Sequence, residues 1–241
     1  MKHDWRSLLA STCVVVPAYN EAESITLVIE QLKKLSKKIT IVVVNDGSSD
    51  ATSQIACKAG AVVVDLPFNT GIGGAVQTGL KYALKHGFRY ALQVDADGQH
   101  PPSEIYKLFA ACGETTDLVI GSRFIKSTSY TGLPGRNAAI NGLSAIIAVL
   151  YRKKIFDPTS GFRLYGQKAL QLFSRSYPAD FPEPESIVSA LNHNLNINEV
   201  SVQMKPREKG QTSIRNLKGL YLVAAILLSI FTSIFQKGRN R

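Results

Sequence analysis

Two carboxylates stand one residue apart where an apolar run of the chain ends. The run, residues 90–94, has the pattern of a buried strand, and Asp95 and Asp97 follow it before Gly98 and two prolines. Side chains two positions apart on an extended segment point the same way. Such a pair can hold a hard divalent cation whose open positions accept phosphate oxygens, and the cation would stabilise a diphosphate leaving group. The alternative is an ordinary strand-ending turn.

Strand-like and helix-like segments alternate through the first half of the chain. Apolar and β-branched runs predict strands at residues 12–16, 39–44, 61–65, 90–94 and 117–121. Helical spacing of apolar residues predicts helices at residues 21–35, 50–59, 73–86 and 103–112. This pattern indicates an α/β fold with a mostly parallel sheet and helices on both faces. Such a sheet binds ligands at the carboxyl ends of its strands.

Polar loops follow the first two predicted strands at that edge. In residues 17–21 (PAYNE), Asn20 can cap the next helix and Tyr19 can stack on a base. Asp46 follows the second strand, where a carboxylate can accept hydrogen bonds from a ligand. The neighbouring residues 48–50 have the pattern of a turn with a helix N-cap.

A glycine-rich segment, residues 69–75 (NTGIGGA), follows the third predicted strand. It differs from a dinucleotide-binding fingerprint because it lacks the final small residue and does not open the first βα unit. We therefore interpret it as a glycine-rich helix start close to a nucleotide. This interpretation argues against an oxidoreductase.

Five motifs in this order resemble glycosyltransferase family 2. They are residues 17–21 (PAYNE), 45–52 (NDGSSDAT), 69–75 (NTGIGGA), 95–100 (DADGQH) and 121–123 (GSR). The resemblance extends from about residue 11 to about residue 215 and is to the branch of dolichol-phosphate mannosyltransferase and bacterial polyprenyl-phosphate hexosyltransferases. It implies a GT-A-type fold, a nucleotide-diphosphate sugar donor, Mg2+ or Mn2+ as cofactor, and inversion at the anomeric carbon.

The same resemblance implies roles for individual residues. The donor-binding residues it implies are Pro17, Tyr19, Glu21, Asp46, Asn69, Gly74, Asp95, Ala96, Asp97 and Arg123. Among them, the first four would line the base and ribose, whereas Asp95 and Asp97 would hold ribose, phosphate and metal.

Three later segments supply candidates for the acceptor side. Residues 157–163 (DPTSGFR) match the family's Asp-x-x-Ser-Gly-Phe-Arg motif at the floor of the acceptor site, although Arg163 has an alternative as a strand-surface charge. Residues 182–185 (PEPE) open a helix, where acidic side chains are favourable in any case. Residues 207–213 (REKGQTS) follow a predicted strand at 197–204 and resemble an Arg-x-x-Gly-x-Ser turn. Its arginine would approach a phosphate.

The acceptor decides whether a catalytic base is needed. A polyprenyl phosphate, with a second pKa near ~6, is already an anion at neutral pH. Arg207, with Arg163, would then do the electrostatic work beside the metal. A sugar hydroxyl on a lipid-linked saccharide instead needs a carboxylate to take its proton, and Asp157, Glu183 and Glu185 are the candidates. A non-catalytic partner that binds nucleotide sugar is a third hypothesis, against which the intact Asp95–Asp97 pair counts.

The basic charge is concentrated at the end of the chain. From residue 205 onward eight basic residues face Glu208 alone, which places seven of the ten net positive charges there. Residues 219–235 carry no charge and are close to the ~17-residue lower limit for a membrane span. We therefore predict a catalytic domain at 1–215 and a membrane-anchoring helix with a basic tail at 216–241. The alternative is a buried terminal helix, and nucleic acid is not the expected partner.

Two segments of the second half are expected to face the acceptor. Residues 126–136 predict a flexible loop that closes over the donor. Residues 137–151 predict an apolar helix before the basic residues 152–154, either as a core helix or as an amphipathic helix on the membrane.

Composition also suggests where the protein works. The first residues lack the apolar region of a secretory signal, and three scattered cysteines fit a reducing compartment. We expect a cell-membrane location with the catalytic domain facing the cytoplasm. A second copy or a small membrane protein is a further candidate partner.

Overall fold

The computed structural model describes residues 5–36, 38–125 and 134–205, with the backbone alone described at residues 134–136 and 139. The strands in these ranges are β1 Thr12–Ala18, β2 Thr40–Asn45, β3 Val62–Asp65, β4 Tyr90–Gln93, β5 Leu118–Ser122, β6 Arg163–Tyr165 and β7 Ile197–Ser201. The helices are α1 Trp5–Ala10, α2 Ile25–Lys33, α3 Thr52–Lys58, α4 Gly71–Lys85, α5 Ile105–Ala110, α6 Pro134–Tyr151, α7 Gln167–Arg175 and α8 Pro182–Asn192. A 3-10 turn, Pro102–Glu104, precedes α5.

The strands form one sheet in the order β3-β2-β1-β4-β6-β5-β7. Neighbouring strands are parallel except at β6, which runs antiparallel to both β4 and β5. The prediction of a mostly parallel α/β sheet is confirmed. Because β1 lies between β2 and β4, the loops that follow these three strands meet at one edge.

Strand β1 shows why the sheet is covered on both faces. All seven of its residues are buried, and alternate side chains enter different cores. Val14 and Val16 pack with α1, α2, α3 and α5, whereas Cys13 and Val15 pack with α4, α6, α7 and α8. A Cβ at Gly79 would collide with Cγ1 of Val15, so this glycine lets α4 lie directly on β1.

The predicted elements differ from the observed ones at three places. Helix α1 was not predicted; it precedes β1 and buries Leu9. The predicted helix at 21–35 begins only at Ile25, because Asn20 adopts a positive φ of 55° and a turn follows. Strand β6 and helix α7 were not predicted.

The predicted membrane segment at 219–235 and the domain boundary at 215 lie outside the described residues. Among the helices that are described, none combines the length and apolar character needed to cross a bilayer.

Candidate functional site

The loops after β1 and β2 are joined by hydrogen bonds. The Asn20 main-chain N–H donates to Ser48 Oγ at 2.9 Å, and Ser49 N–H donates to Asn20 Oδ1 at 2.9 Å. The Glu21 N–H donates to Thr52 Oγ1 at 2.8 Å. Asn20 therefore holds the second loop, and the prediction that it caps α2 was wrong. Two predicted donor-binding motifs are brought together at one edge of the sheet.

The other predicted residues of the first motif differ in exposure. Pro17 is buried within β1, where it pairs with Val44 of β2. Tyr19 is 49% exposed, so its ring is accessible to a ligand. Glu21 is half-buried, and its carboxylate accepts a hydrogen bond from Ser24 Oγ at 2.7 Å.

Asp46 fixes the loop that follows β3. It is 3% exposed, and its Oδ1 accepts hydrogen bonds from Thr70 N–H at 2.7 Å and Thr70 Oγ1 at 2.8 Å. Packing explains why glycine occupies position 74, because a Cβ there would collide with Oγ1 of Thr70. Asn69 is exposed, and its Oδ1 accepts a hydrogen bond from Gly71 N–H at 3.0 Å. The hydrogen bonds from Thr70 to Asp46 therefore place the glycine-rich segment beside the second motif.

Asp95 and Asp97 lie directly after β4, beyond the buried Val94. The Asp95 side chain is 35% exposed, and Asp97 Oδ1 accepts a hydrogen bond from Gln99 N–H at 3.0 Å. Ala96, which separates them, is 3% exposed and anchors the turn in the core. The two carboxylates are hard oxygen donors, and in the described ranges no group of three or more His, Cys, Asp or Glu side chains forms a closed metal site. This donor set fits a cation that completes its coordination with ligand oxygens or water.

His100 approaches Asp95 from the buried side. Its Nδ1 accepts a hydrogen bond from Asp95 N–H at 3.0 Å, and its Nε2 is 3.5 Å from Asp95 Oδ2. Burial lowers the pKa of His100 to about 4; Asp97 and Asp157 oppose this lowering, and Arg123 adds to it. The imidazole is therefore neutral at pH 7, and its approach to Asp95 is not an ion pair.

Asp157 and Arg123 form a buried ion pair. Arg123 Nε and NH2 donate to the two carboxylate oxygens at 2.7 and 2.8 Å, and Arg123 N–H donates to Oδ2 at 3.0 Å. The side chains are 8% and 0% exposed. Glu199 Oε1 accepts from Asp157 N–H at 2.9 Å, which fixes the backbone as well. This geometry disfavours Asp157 as a catalytic base. It also holds the Arg123 guanidinium in hydrogen bonds to Asp157.

The guanidinium of Arg163 is also hydrogen-bonded within the protein. Its Nε donates to Ser160 O at 2.7 Å, its NH1 to Ser186 Oγ at 2.6 Å and its NH2 to Glu183 O at 2.8 Å. The side chain is fully buried. The alternative of a surface charge was wrong, because the buried guanidinium joins the 157–163 motif to the first turn of α8. The electrostatic role of Arg163 beside the metal stays a prediction.

Glu183 and Glu185 lie in the first turn of α8 and are both half-buried. Burial raises the pKa of Glu183, Arg163 opposes this change, and Asp95 adds to it. Glu183 therefore interacts electrostatically with Asp95. Side chains two positions apart on a helix face different directions, so the two glutamates do not act as a pair.

Arg207 and residues 126–133 lie outside the described residues. The segment that leads to Arg207 is fixed beside the site: Lys205 N–H donates to Gln99 O at 3.0 Å, and Gln203 N–H donates to Glu104 Oε2 at 2.8 Å.

Sequence reasoning missed a buried polar group under Asp95. Gln93 is 1% exposed; its Oε1 accepts from Tyr165 Oη at 2.8 Å, whereas its Nε2 has no hydrogen-bond partner among the described residues. A Cβ at Gly161 would lie 3.1 Å from this nitrogen and 3.3 Å from Asp95 Oδ1. The sequence signal that could have revealed this group is Gln93 itself, a polar residue inside the apolar run at residues 90–94.

Comparisons with known proteins agree with this architecture. The chain is 30% identical over 211 residues to the UDP-N-acetylglucosamine–dolichyl-phosphate N-acetylglucosaminyltransferase of Methanococcus voltae, covering 79% of this chain and 84% of that protein. It is 27% identical over 212 residues to the polyprenol monophosphomannose synthase of Mycolicibacterium smegmatis, covering 83% and 79%.

Among solved structures, glucosyl-3-phosphoglycerate synthase from Mycobacterium tuberculosis, in complex with Mn2+, UDP and phosphoglyceric acid, has a similar fold. The TM-score is 0.71 at 23% identity, and the match covers 92% of this chain and 81% of that chain. The family model described as glycosyl transferase family 2 matches residues 13–173. The chain therefore belongs to glycosyl transferase family 2 and is a glycosyltransferase with a GT-A-like fold.

Proposed function

We propose that the protein transfers a sugar from a nucleotide-diphosphate sugar to a polyprenyl phosphate, with inversion, at the cytoplasmic face of the cell membrane. The observation that carries this proposal is the Asp95–Asp97 pair at the end of β4, beside the joined loops after β1 and β2. One of the two curated relatives is named for dolichyl phosphate and the other for the product polyprenol monophosphomannose, which supports the acceptor class.

In this proposal Asp95 and Asp97 hold Mg2+ or Mn2+ with the donor diphosphate. Such a cation, when bound, neutralises charge that develops on the leaving diphosphate. The neighbouring solved structure contains Mn2+ and UDP, which supports this choice of cofactor. The exposed Tyr19 ring would stack on the base, and Glu21 and Asp46 would contact the ribose side of the same edge.

The buried Arg123–Asp157 pair favours a phosphate acceptor. A phosphate monoester is ionised at neutral pH and needs no strong base, with a second pKa near ~6. Since Asp157 is bound by Arg123, Glu183 is the carboxylate best placed for the alternative, transfer to a hydroxyl of a lipid-linked saccharide. Arg207 remains the candidate cation for phosphate, and it follows the anchored Lys205 by two residues.

One surface supports contact with a membrane. Helix α6 turns Leu143 and Ile147 into the core, whereas Val149 is 80% exposed and Leu150 46% exposed. The helix contains no acidic residue, and three basic residues follow it at positions 152–154. An apolar face beside basic side chains suits an anionic bilayer surface. The segment 219–235 would add an anchor.

The test is a transfer assay with the full chain in detergent and Mn2+. A panel of UDP-glucose, UDP-N-acetylglucosamine and GDP-mannose is offered with polyprenyl phosphate, with a lipid-linked disaccharide, or with no acceptor. We expect one donor to yield polyprenyl-phosphate sugar, and Asp97→Ala to abolish transfer while the exposed control Glu114→Ala does not. Transfer only to the disaccharide would establish the hydroxyl-acceptor alternative, and donor binding without any transfer would indicate a non-catalytic partner.

A further inference from the structure

His100 makes two contacts with the same aspartate. It is 5% exposed, and its Nδ1 accepts the hydrogen bond from Asp95 N–H at 3.0 Å. A nitrogen that accepts a hydrogen bond carries no proton, so the ring holds its single proton on Nε2. This Nε2 lies 3.5 Å from Asp95 Oδ2. The His100 side chain thus contacts both the main chain and the carboxylate of Asp95.

Packing holds the imidazole in this orientation. Its ring is stacked on Phe162, with centroids 4.7 Å apart and planes 16° from parallel. Phe162 is fully buried, and a Cβ at Gly121 would lie 2.9 Å from its Cδ1. Glycine at position 121 therefore makes room for Phe162, and Phe162 restricts the rotamer of His100. The contacts run from β5 through two rings to the carboxylate at the end of β4.

We propose that His100 is a positioning residue that fixes the main chain and carboxylate of Asp95 for the cation bound with the donor. The inference rests on the proposed function, in which Asp95 is a metal ligand. Hydrogen-bond partners of metal ligands typically contribute about 10–100-fold to metal affinity.

Two substitutions separate the contacts of His100. His100→Asn keeps an oxygen acceptor near the position of Nδ1 but lacks the Nε2 donor. His100→Phe keeps a ring to stack on Phe162 but lacks both polar contacts. The matched control is His86→Asn, because His86 is an exposed histidine stacked on Tyr82 with centroids 3.8 Å apart. Asp95→Asn serves as the benchmark for loss of the ligand itself.

The readout is Mn2+ affinity in the presence of UDP, measured on the full chain by the electron paramagnetic resonance signal of free Mn2+. Melting temperature is measured on the same samples. We expect His100→Asn to weaken Mn2+ binding roughly 10–100-fold. His100→Phe should bind Mn2+ no more tightly than His100→Asn. The control His86→Asn should have the Mn2+ affinity of the wild type.

An Mn2+ affinity within about twofold of the wild type in either folded His100 variant, together with weak binding by Asp95→Asn, would overturn the positioning role. Normal binding by Asp95→Asn would instead overturn the metal assignment, and this inference with it. A purely structural role predicts a lower melting temperature with unchanged Mn2+ affinity, so that result also counts against the proposal.

Discussion

Replacing Asp157 with asparagine tests whether its carboxylate holds Arg123 in place or takes a proton from an acceptor. The carboxylate accepts three hydrogen bonds from Arg123, at 2.7, 2.8 and 3.0 Å, and is fully buried. The substitution leaves the Arg123 guanidinium buried without its counter-charge. Breaking one partner of a buried ion pair typically costs about 3–5 kcal/mol.

This cost should be visible as a large loss of stability. At 2–4 °C per kcal/mol for a domain of this size, we expect the melting temperature to fall by roughly 10 °C. The double variant Arg123→Met/Asp157→Asn should cost less than the sum of its single variants by at least ~2 kcal/mol. Lys168→Met is the control, since Lys168 is 72% exposed and 3.7 Å from Asp117. Loss of that pair should cost less than about 1 kcal/mol.

The assay combines urea unfolding followed by circular dichroism with turnover measured well below the melting transition. We expect Asp157→Asn to retain turnover within about tenfold of the wild type, because loss of a general base costs about 100-fold or more. An Asp157→Asn variant as stable as the wild type, with turnover reduced beyond 100-fold and a changed pH–rate profile, would refute the structural role and establish a catalytic base.

Three further predictions follow from burial and packing. Because burial raises the pKa of Glu183 above its ordinary value of 4.5, its ionised form is disfavoured in the fold. The unfolding free energy of the wild type relative to Glu183→Gln should therefore fall as pH rises from 4.5 through the raised pKa, and parallel urea-unfolding profiles would contradict this. Gly79→Val should destabilise the protein by roughly 1–3 kcal/mol through collision with Val15, and Val15→Ala should recover part of the loss; additive effects in urea unfolding would contradict the collision. Burial raises the pKa of Cys13 to about 12 and Cys112 is also buried, so Ellman's reagent should titrate Cys57 alone in the folded protein and all three thiols in urea; rapid reaction of more than one native thiol would contradict this.

The first three strands of the sheet could be predicted because they are rich in β-branched residues. The strands predicted at residues 12–16 and 39–44 match the observed β1 and β2 to within two residues at each end. Strand β6 is only three residues long, which is too short for any periodicity to reveal. Its antiparallel insertion between β4 and β5 is set by tertiary pairing.

Site residues could be predicted where their position follows from neighbouring residues in the sequence. They could not be predicted where the side chain is held by residues far along the chain. Asp95 and Asp97 follow an apolar strand, so their place at the sheet edge follows from the strand itself. Arg163 has partners at Ser186 and Glu183, and nothing in a motif shows that these distant residues use up its guanidinium. The contacts of His100 likewise depend on Phe162, which follows it in the chain only after α5, β5 and α6.

The central claim is that Asp95 and Asp97 hold a divalent cation together with the donor diphosphate. Anomalous diffraction from crystals of the full chain, grown with Mn2+ and UDP, tests it most directly. We expect an anomalous peak within coordination distance of the Asp95 or Asp97 carboxylate and of a UDP phosphate oxygen. UDP bound at this edge of the sheet with no such peak, or a peak at another part of the chain, would contradict it.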